Sequence, residues 1–137
     1  MIRSALLAVA LLLATPAFAS EPPSVSLTFV TSVNTGAVMV ALYDEATYSG
    51  GRPVRAARID VAAGERTVIF EGLPAGDYGV KAFHDVNGDG KMNTNPFGMP
   101  TEPYAFSNNA VGNMGPAGWD RARFEVSRPT AQTISIR

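Results

Sequence analysis

Short runs in which every second residue is apolar constrain this chain more than any other feature. Val25, Leu27 and Phe29 alternate with Ser24, Ser26 and Thr28, and Val38, Val40 and Leu42 mark one face of the run 37–43. Successive side chains of a strand point to opposite faces, so this spacing describes strands buried on one side. The same reading applies to 57–61, 67–71, 78–84, 119–126 (Ala122, Phe124 and Val126 against Arg121, Arg123 and Glu125) and the closing 133–136. Between these runs stand 13 glycines and 10 prolines, and no capped segment of period 3.6 competes with them. Asn34-Thr35-Gly36, Gly50-Gly51 and Leu73-Pro74-Ala75-Gly76 read as turns, and 44–53 as a loop. The pattern predicts an all-β fold, a single seven-stranded antiparallel β-sandwich with one long ordered loop.

The N-terminal residues read as an address. Arg3 precedes an Ala/Leu/Val run from Ala5 to Ala14, Pro16 interrupts it, and Ala17-Phe18-Ala19 has the small-x-small form of a signal peptidase site. The run is about half the ~20 residues of a membrane span. Residues 1–19 are therefore expected to be a cleaved signal peptide, and 20–137 the mature domain, periplasmic or secreted and not inserted in a membrane. No cysteine lies before Ser20, which disfavours a lipid anchor, and none occurs anywhere in the chain. An exported domain without disulfides must fold on apolar burial alone or with a metal. The formal net charge is −1 and the basic residues are not clustered, which argues against nucleic acid or anionic lipid as a partner. A monomer is expected.

The segment 85–118 breaks the pattern. It shows no periodicity and far exceeds an ordinary connection of about 4–6 residues. It is not disordered in composition either, because Phe97, Met99, Tyr104, Phe106 and Met114 need a reason to be held together. Its first residues, Asp85-Val86-Asn87-Gly88-Asp89-Gly90, match the opening D-x-[DN]-x-[DN]-G of a calcium loop. Oxygens at positions one, three and five converge, and the glycine at six turns the backbone so that the carbonyl of Lys91 joins them. Asn93 falls at the ninth position. Pro96 stands at the twelfth, where an EF-hand has its bidentate carboxylate, so a helical EF-hand is rejected. A strand-flanked calcium loop remains, with Asp85, Asn87, Asp89, Lys91, Asn93 and Glu102 as its metal ligands. The competing reading is plain turn chemistry, since Asn-Gly and Asp-Gly are both good hairpin dipeptides.

Three other groups invite a role. His84, the only histidine, shares a strand face with Tyr78, Val80 and Ala82 and is expected in the core. A Ser107/His84/Asp85 triad is disfavoured, because neighbours on a strand point to opposite faces. Tyr104, Phe106 and Trp119 would form a ligand-binding surface if the loop brings them together.

One resemblance covers nearly all of the chain beyond residue 20. Leu73-Pro74-Ala75-Gly76-Asp77-Tyr78-Gly79-Val80, then Phe83-His84-Asp85 leading into Asn87-Gly88-Asp89-Gly90-Lys91, is similar to the secreted bacterial family catalogued as domain of unknown function 2141. The run Gly98-Met99-Pro100-Thr101-Glu102-Pro103-Tyr104-Ala105-Phe106-Ser107-Asn108-Asn109-Ala110 resembles that family's G-x-P-T-E-x-Y-x-F-S-N-N-A stretch, and Gly115-Pro116 its later G-P step. The resemblance implies a prealbumin-like or carboxypeptidase-regulatory-like sandwich and brings no activity with it. The family often has Asp where this chain has Asn93, which implies a weaker metal loop here.

These observations together predict a non-enzymatic, calcium-stabilised binding or accessory module of the cell envelope, with an envelope protein or a glycan as partner. The alternatives are a small hydrolase using Glu102 or His84, and a purely structural envelope protein. The export reading is tested directly by intact mass: protein recovered from a periplasmic extract should begin at Ser20, and a membrane-bound full-length product would contradict it.

Overall fold

The computed structural model describes residues 13–137. Of the expected signal peptide, residues 1–12 lie outside them, and 13–20 carry no secondary structure and are exposed. No helix among the described residues is long and apolar enough to cross a membrane.

Eight strands form two facing sheets. The smaller contains β4 (Thr67–Phe70), β1 (Val25–Thr31) and β8 (Thr130–Ile136), in that order. The larger runs β3 (Arg55–Asp60), β2 (Ala37–Tyr43), β5 (Gly76–Asp85) and β6 (Tyr104–Phe106), and β7 (Phe124–Val126) pairs with the first three residues of β5. The all-β, two-sheet reading stands, with two differences. The count is eight instead of seven, because β6 lies inside the segment that shows no periodicity; three residues are too few to show it. The sheets are also not wholly antiparallel, since β1 and β8 pair in parallel from Val25↔Thr130 to Thr31↔Ile136.

The core follows the alternation. Val25, Leu27, Phe29, Ile134 and Ile136 from the small sheet meet Val38, Val40, Leu42, Ile59, Val80 and Val126 from the large one, all essentially inaccessible. His84 belongs to this inward set. It is fully buried, and its Nε2 lies 2.6 Å from the carbonyl oxygen of Thr35.

Two short helical turns replace expected irregular or extended chain. Asp44 caps α1 (Glu45–Tyr48): its Oδ1 accepts from the Thr47 backbone N–H at 3.0 Å, and Thr47 Oγ1 accepts from the Asp44 backbone N–H at 3.3 Å. This reciprocal pair satisfies donors that a helix start leaves open. The run expected as a strand over 119–126 begins instead as α2 (Trp119–Ala122) and becomes β7 only at Phe124. Alternation of three apolar positions did not distinguish the two, because Ala122 is buried at the end of a helical turn as readily as on a strand.

The turn between β1 and β2 is pressed against the end of β5. Gly36 has φ +68°, and a Cβ there would lie 2.0 Å from the carbonyl oxygen of Asp85. Gly36→Ala combines left-handed strain with a backbone clash. It should destabilise the fold by about 2 kcal/mol or more, read as a lower midpoint in chemical unfolding; a wild-type midpoint would contradict this packing.

Candidate functional site

The register of β5 with β6 determines what the long loop brings together. Lys81↔Phe106, Ala82↔Ala105 and Phe83↔Tyr104 are paired, and the His84 N–H donates to the Pro103 carbonyl at 2.8 Å. One further step along this register sets Glu102 opposite Asp85. Period-two alternation then places both acids on the outer face of the large sheet, with Phe83 and Tyr104, while His84 faces the core.

Asp85 is buried and holds the loop by its carboxylate. Oδ1 accepts from the Gly88 N–H at 3.0 Å and Oδ2 from the Gly90 N–H at 2.7 Å. Gly88 and Gly90 have φ +75° and +77°, the conformation that turns their N–H groups inward. Asp89 is exposed. Its Oδ1 accepts from the Lys91 N–H at 2.9 Å and its Oδ2 from Asn93 Nδ2 at 2.9 Å. The Lys91 backbone contact first, then the Asn93 side chain, hold its carboxyl below the usual carboxylate range. Asn87 Nδ2 donates to Asn93 Oδ1 at 3.1 Å, and Asn87 Oδ1 accepts from the Asp89 N–H at 3.2 Å.

Glu102 is 8% exposed. Its Oε2 accepts from the Asn93 N–H at 3.2 Å, whereas Oε1 is buried without a partner. One carboxylate oxygen each from Asp85, Asp89 and Glu102 lie within 4.8 Å of one another. Calcium binds oxygens at 2.3–2.6 Å, so two ligands across the ion stand about 4.6–5.2 Å apart. The spacing of the three acids therefore suits that ion. Of the six residues expected as ligands, the three carboxylates converge, Asn87 and Asn93 surround them with amides, and Lys91 contributes its N–H to Asp89. Sequence spacing named Glu102 only as the nearest downstream acid; the β5–β6 register supplies the reason.

Beyond Glu102, side chains bind the chain down. Ser107 is fully buried, its Oγ accepting from the Val80 N–H at 2.8 Å and donating to the Ala122 carbonyl. Asn108 and Asn109 adopt φ 60° and 51°, a region asparagine tolerates better than most residues. From there Asn108 Nδ2 donates to the carbonyls of Arg121 and Arg123 at 3.0 and 2.9 Å, and Asn109 Nδ2 donates to that of Thr133 at 3.1 Å. The Ser-Asn-Asn run thus joins β6 to α2 and β8. Tyr48 holds the far end, its hydroxyl donating to the Ala117 carbonyl at 2.7 Å. Burial first, then Asp120 and Tyr43, push its hydroxyl up to about 12.

The other expected groupings resolve differently. Ser107, His84 and Asp85 make no triad, each being hydrogen-bonded elsewhere in the backbone. Glu102 and His84 lie on opposite faces of the sheet. Phe106 is buried in a small second cluster with Tyr48, Ala117 and Ala122, and Trp119 packs against it. Trp119 meets Tyr48 at a centroid separation of 5.4 Å, while Tyr104 stands exposed, edge-on to Phe106 at 5.9 Å. Of the expected ligand-binding trio, Tyr104 alone presents an exposed ring.

Residues 30–135 match the family described as "uncharacterized protein conserved in bacteria (DUF2141)". The chain belongs to that family. No curated protein and no solved structure matches it.

Tyr48→Phe tests how the loop's far end is held. The change leaves the Ala117 carbonyl without its buried donor, which should cost about 1–3 kcal/mol. It should also hasten proteolysis near Ala117; unchanged stability and cleavage would refute the anchoring role.

Proposed function

We propose that this protein is an exported, non-enzymatic binding module of the bacterial cell envelope, whose loop from Asp85 to Gly118 is fixed by calcium and serves as the functional surface. The observation that carries the reading is the convergence of Asp85, Asp89 and Glu102, with Glu102 Oε1 buried and unpartnered. A buried polar atom left without a partner is costly, and a carboxylate oxygen beside two other acids is relieved most directly by a cation. Asp85, Asp89 and Glu102 would hold it, with the amide oxygens of Asn87 and Asn93 within reach on rotation of their side chains. The metal would act structurally, cancelling the repulsion among the acids and reducing the freedom that Gly88 and Gly90 give the backbone. Export rests on the N-terminal sequence, and envelope protein or glycan remains the partner class.

An affinity on the order of 10⁻⁴–10⁻³ M is expected, as in extracellular calcium modules. Linkage at about 100 times the dissociation constant is worth ~2.7 kcal/mol, so 10–100 mM calcium should raise the melting temperature by several degrees. Calcium should also protect 85–118 from limited proteolysis. Magnesium should do little, because it demands a tighter octahedron. Asp89→Ala and Glu102→Gln should each remove the response, with Asp89→Ala leaving the calcium-free melt nearly unchanged. Equal protease resistance in calcium and in chelator would reduce the motif to a turn.

A further inference from the structure

The outer face of the large sheet is not a solvated surface. Its cross-strand rows read Ala56, Ala41, Lys81, Phe106 and then Arg58, Met39, Phe83, Tyr104, with Arg58 exposed at the β3 edge and Tyr43 one step beyond Ala41 along β2. Alanines at the centre make a trough, and the long loop forms a wall through Met92, Met99, Pro100 and Met114. The groove is open to solvent along one side and has a volume of about 1220 Å³, somewhat more than an ordinary small-molecule site of roughly 300–1,000 Å³. Among the described residues, Met39, Met92, Met99 and Met114 all line this groove. Methionine is unbranched and polarisable, and surfaces rich in it accommodate flexible apolar ligands. Tyr104, Met99 and Met114 are exposed at its edge, as apolar side chains are at binding surfaces.

The lining holds one charged residue, Lys81. Its ammonium lies 4.9 Å from the Tyr43 ring centroid and 4.3 Å from that of Tyr48, and it donates to the Tyr48 carbonyl. The one ion pair among the described residues is Arg123–Asp77, so no carboxylate neutralises Lys81. Partial burial holds its ammonium below its usual value. From Lys81 the groove runs past Phe83 toward the acid cluster. The four strand positions from Lys81 to Asp85 span about 13 Å, the reach of an extended decanoate chain.

We propose that this groove binds an amphipathic monocarboxylate of the fatty-acid class, its acyl chain along Met39, Phe83 and the methionine wall and its carboxylate at Lys81. The cation supplies the complementary charge, and the apolar trough excludes ligands that are charged throughout. This goes beyond the envelope-protein or glycan partner of the binding-module reading, and shares with it only the loop that forms the groove wall.

The test is calorimetric titration of the full mature chain with decanoate, octanoate and the uncharged decanamide, with calcium and with chelator, keeping decanoate below the solubility of its calcium salt. Decanoate should bind roughly tenfold tighter than octanoate, from its two extra methylenes, and severalfold tighter than decanamide. Lys81→Met should erase the preference for carboxylate over amide while retaining decanamide, a split that simple unfolding would not produce; Lys81→Arg should restore it. Phe83→Glu should abolish binding of all three, with circular dichroism confirming the fold. No decanoate binding, or a preference for carboxylate that survives Lys81→Met, overturns the proposal. So does a dimer in sedimentation that Phe83→Glu dissociates, which would make a second copy the occupant. The calcium reading fails separately: decanoate bound alike in calcium and chelator, with no calcium-dependent melt, sinks that reading and leaves the ligand site standing. A calcium-shifted melt without decanoate binding does the reverse.

Discussion

A long connection laid over a sheet has no partner strand along most of its length, yet its peptide groups still require hydrogen-bond partners wherever water is excluded. In this protein side chains meet that requirement. Asp85 takes two N–H groups at the start of the loop, Glu102 takes one at its middle, Ser107, Asn108 and Asn109 bridge to α2 and β8, and Tyr48 ends the series at Ala117. The loop's cover over the large sheet depends on this arrangement, because Met92, Met99 and Met114 have no position unless the backbone carrying them is held. Ser-Asn-Asn is a backbone clamp, and its polar side chains are consumed by it.

Much of the sandwich was legible because burial on one face leaves a period of two. Val25-Leu27-Phe29 and Val38-Val40-Leu42 appear as strands in sequence and in space, and β2 spans Ala37–Tyr43 as expected. What was hidden was either too short to be periodic or depended on distant partners. β6 has three residues, α1 and α2 four each, and the parallel pairing of β1 with β8 leaves no local trace. Of the acids that converge, Asp85 and Asp89 were legible from their spacing and Glu102 from proximity in sequence. Lys81, Met39 and Phe83 were passed over. The available signal was that β2 is apolar on both faces, Met39, Ala41 and Tyr43 as well as the inward set, which marks a strand covered on both sides.

The acid cluster and the groove share one face of one sheet, and β5 contributes to both. Odd positions along β5 carry Lys81, Phe83 and Asp85 outward, while Val80, Ala82 and His84 pack inward. The inward row is held by the core, so the outward row inherits a fixed geometry. Such a division of labour along one strand places a rigid platform beneath a loop held mainly by side-chain hydrogen bonds.

The parallel pair of β1 and β8 has a consequence in time. The first strand of the domain finds its second partner only in the last, so the small sheet cannot be completed until the whole chain is present. Contacts that close long loops make folding slow, on the millisecond-to-second scale typical of β-sandwiches. A chain threaded across a membrane N-terminus first would emerge with β1 paired to β4 alone, its other edge open. Until β8 arrives, that edge is a template for association with other chains. In a chain without disulfides, the last strand to appear is thus also the one that protects the first.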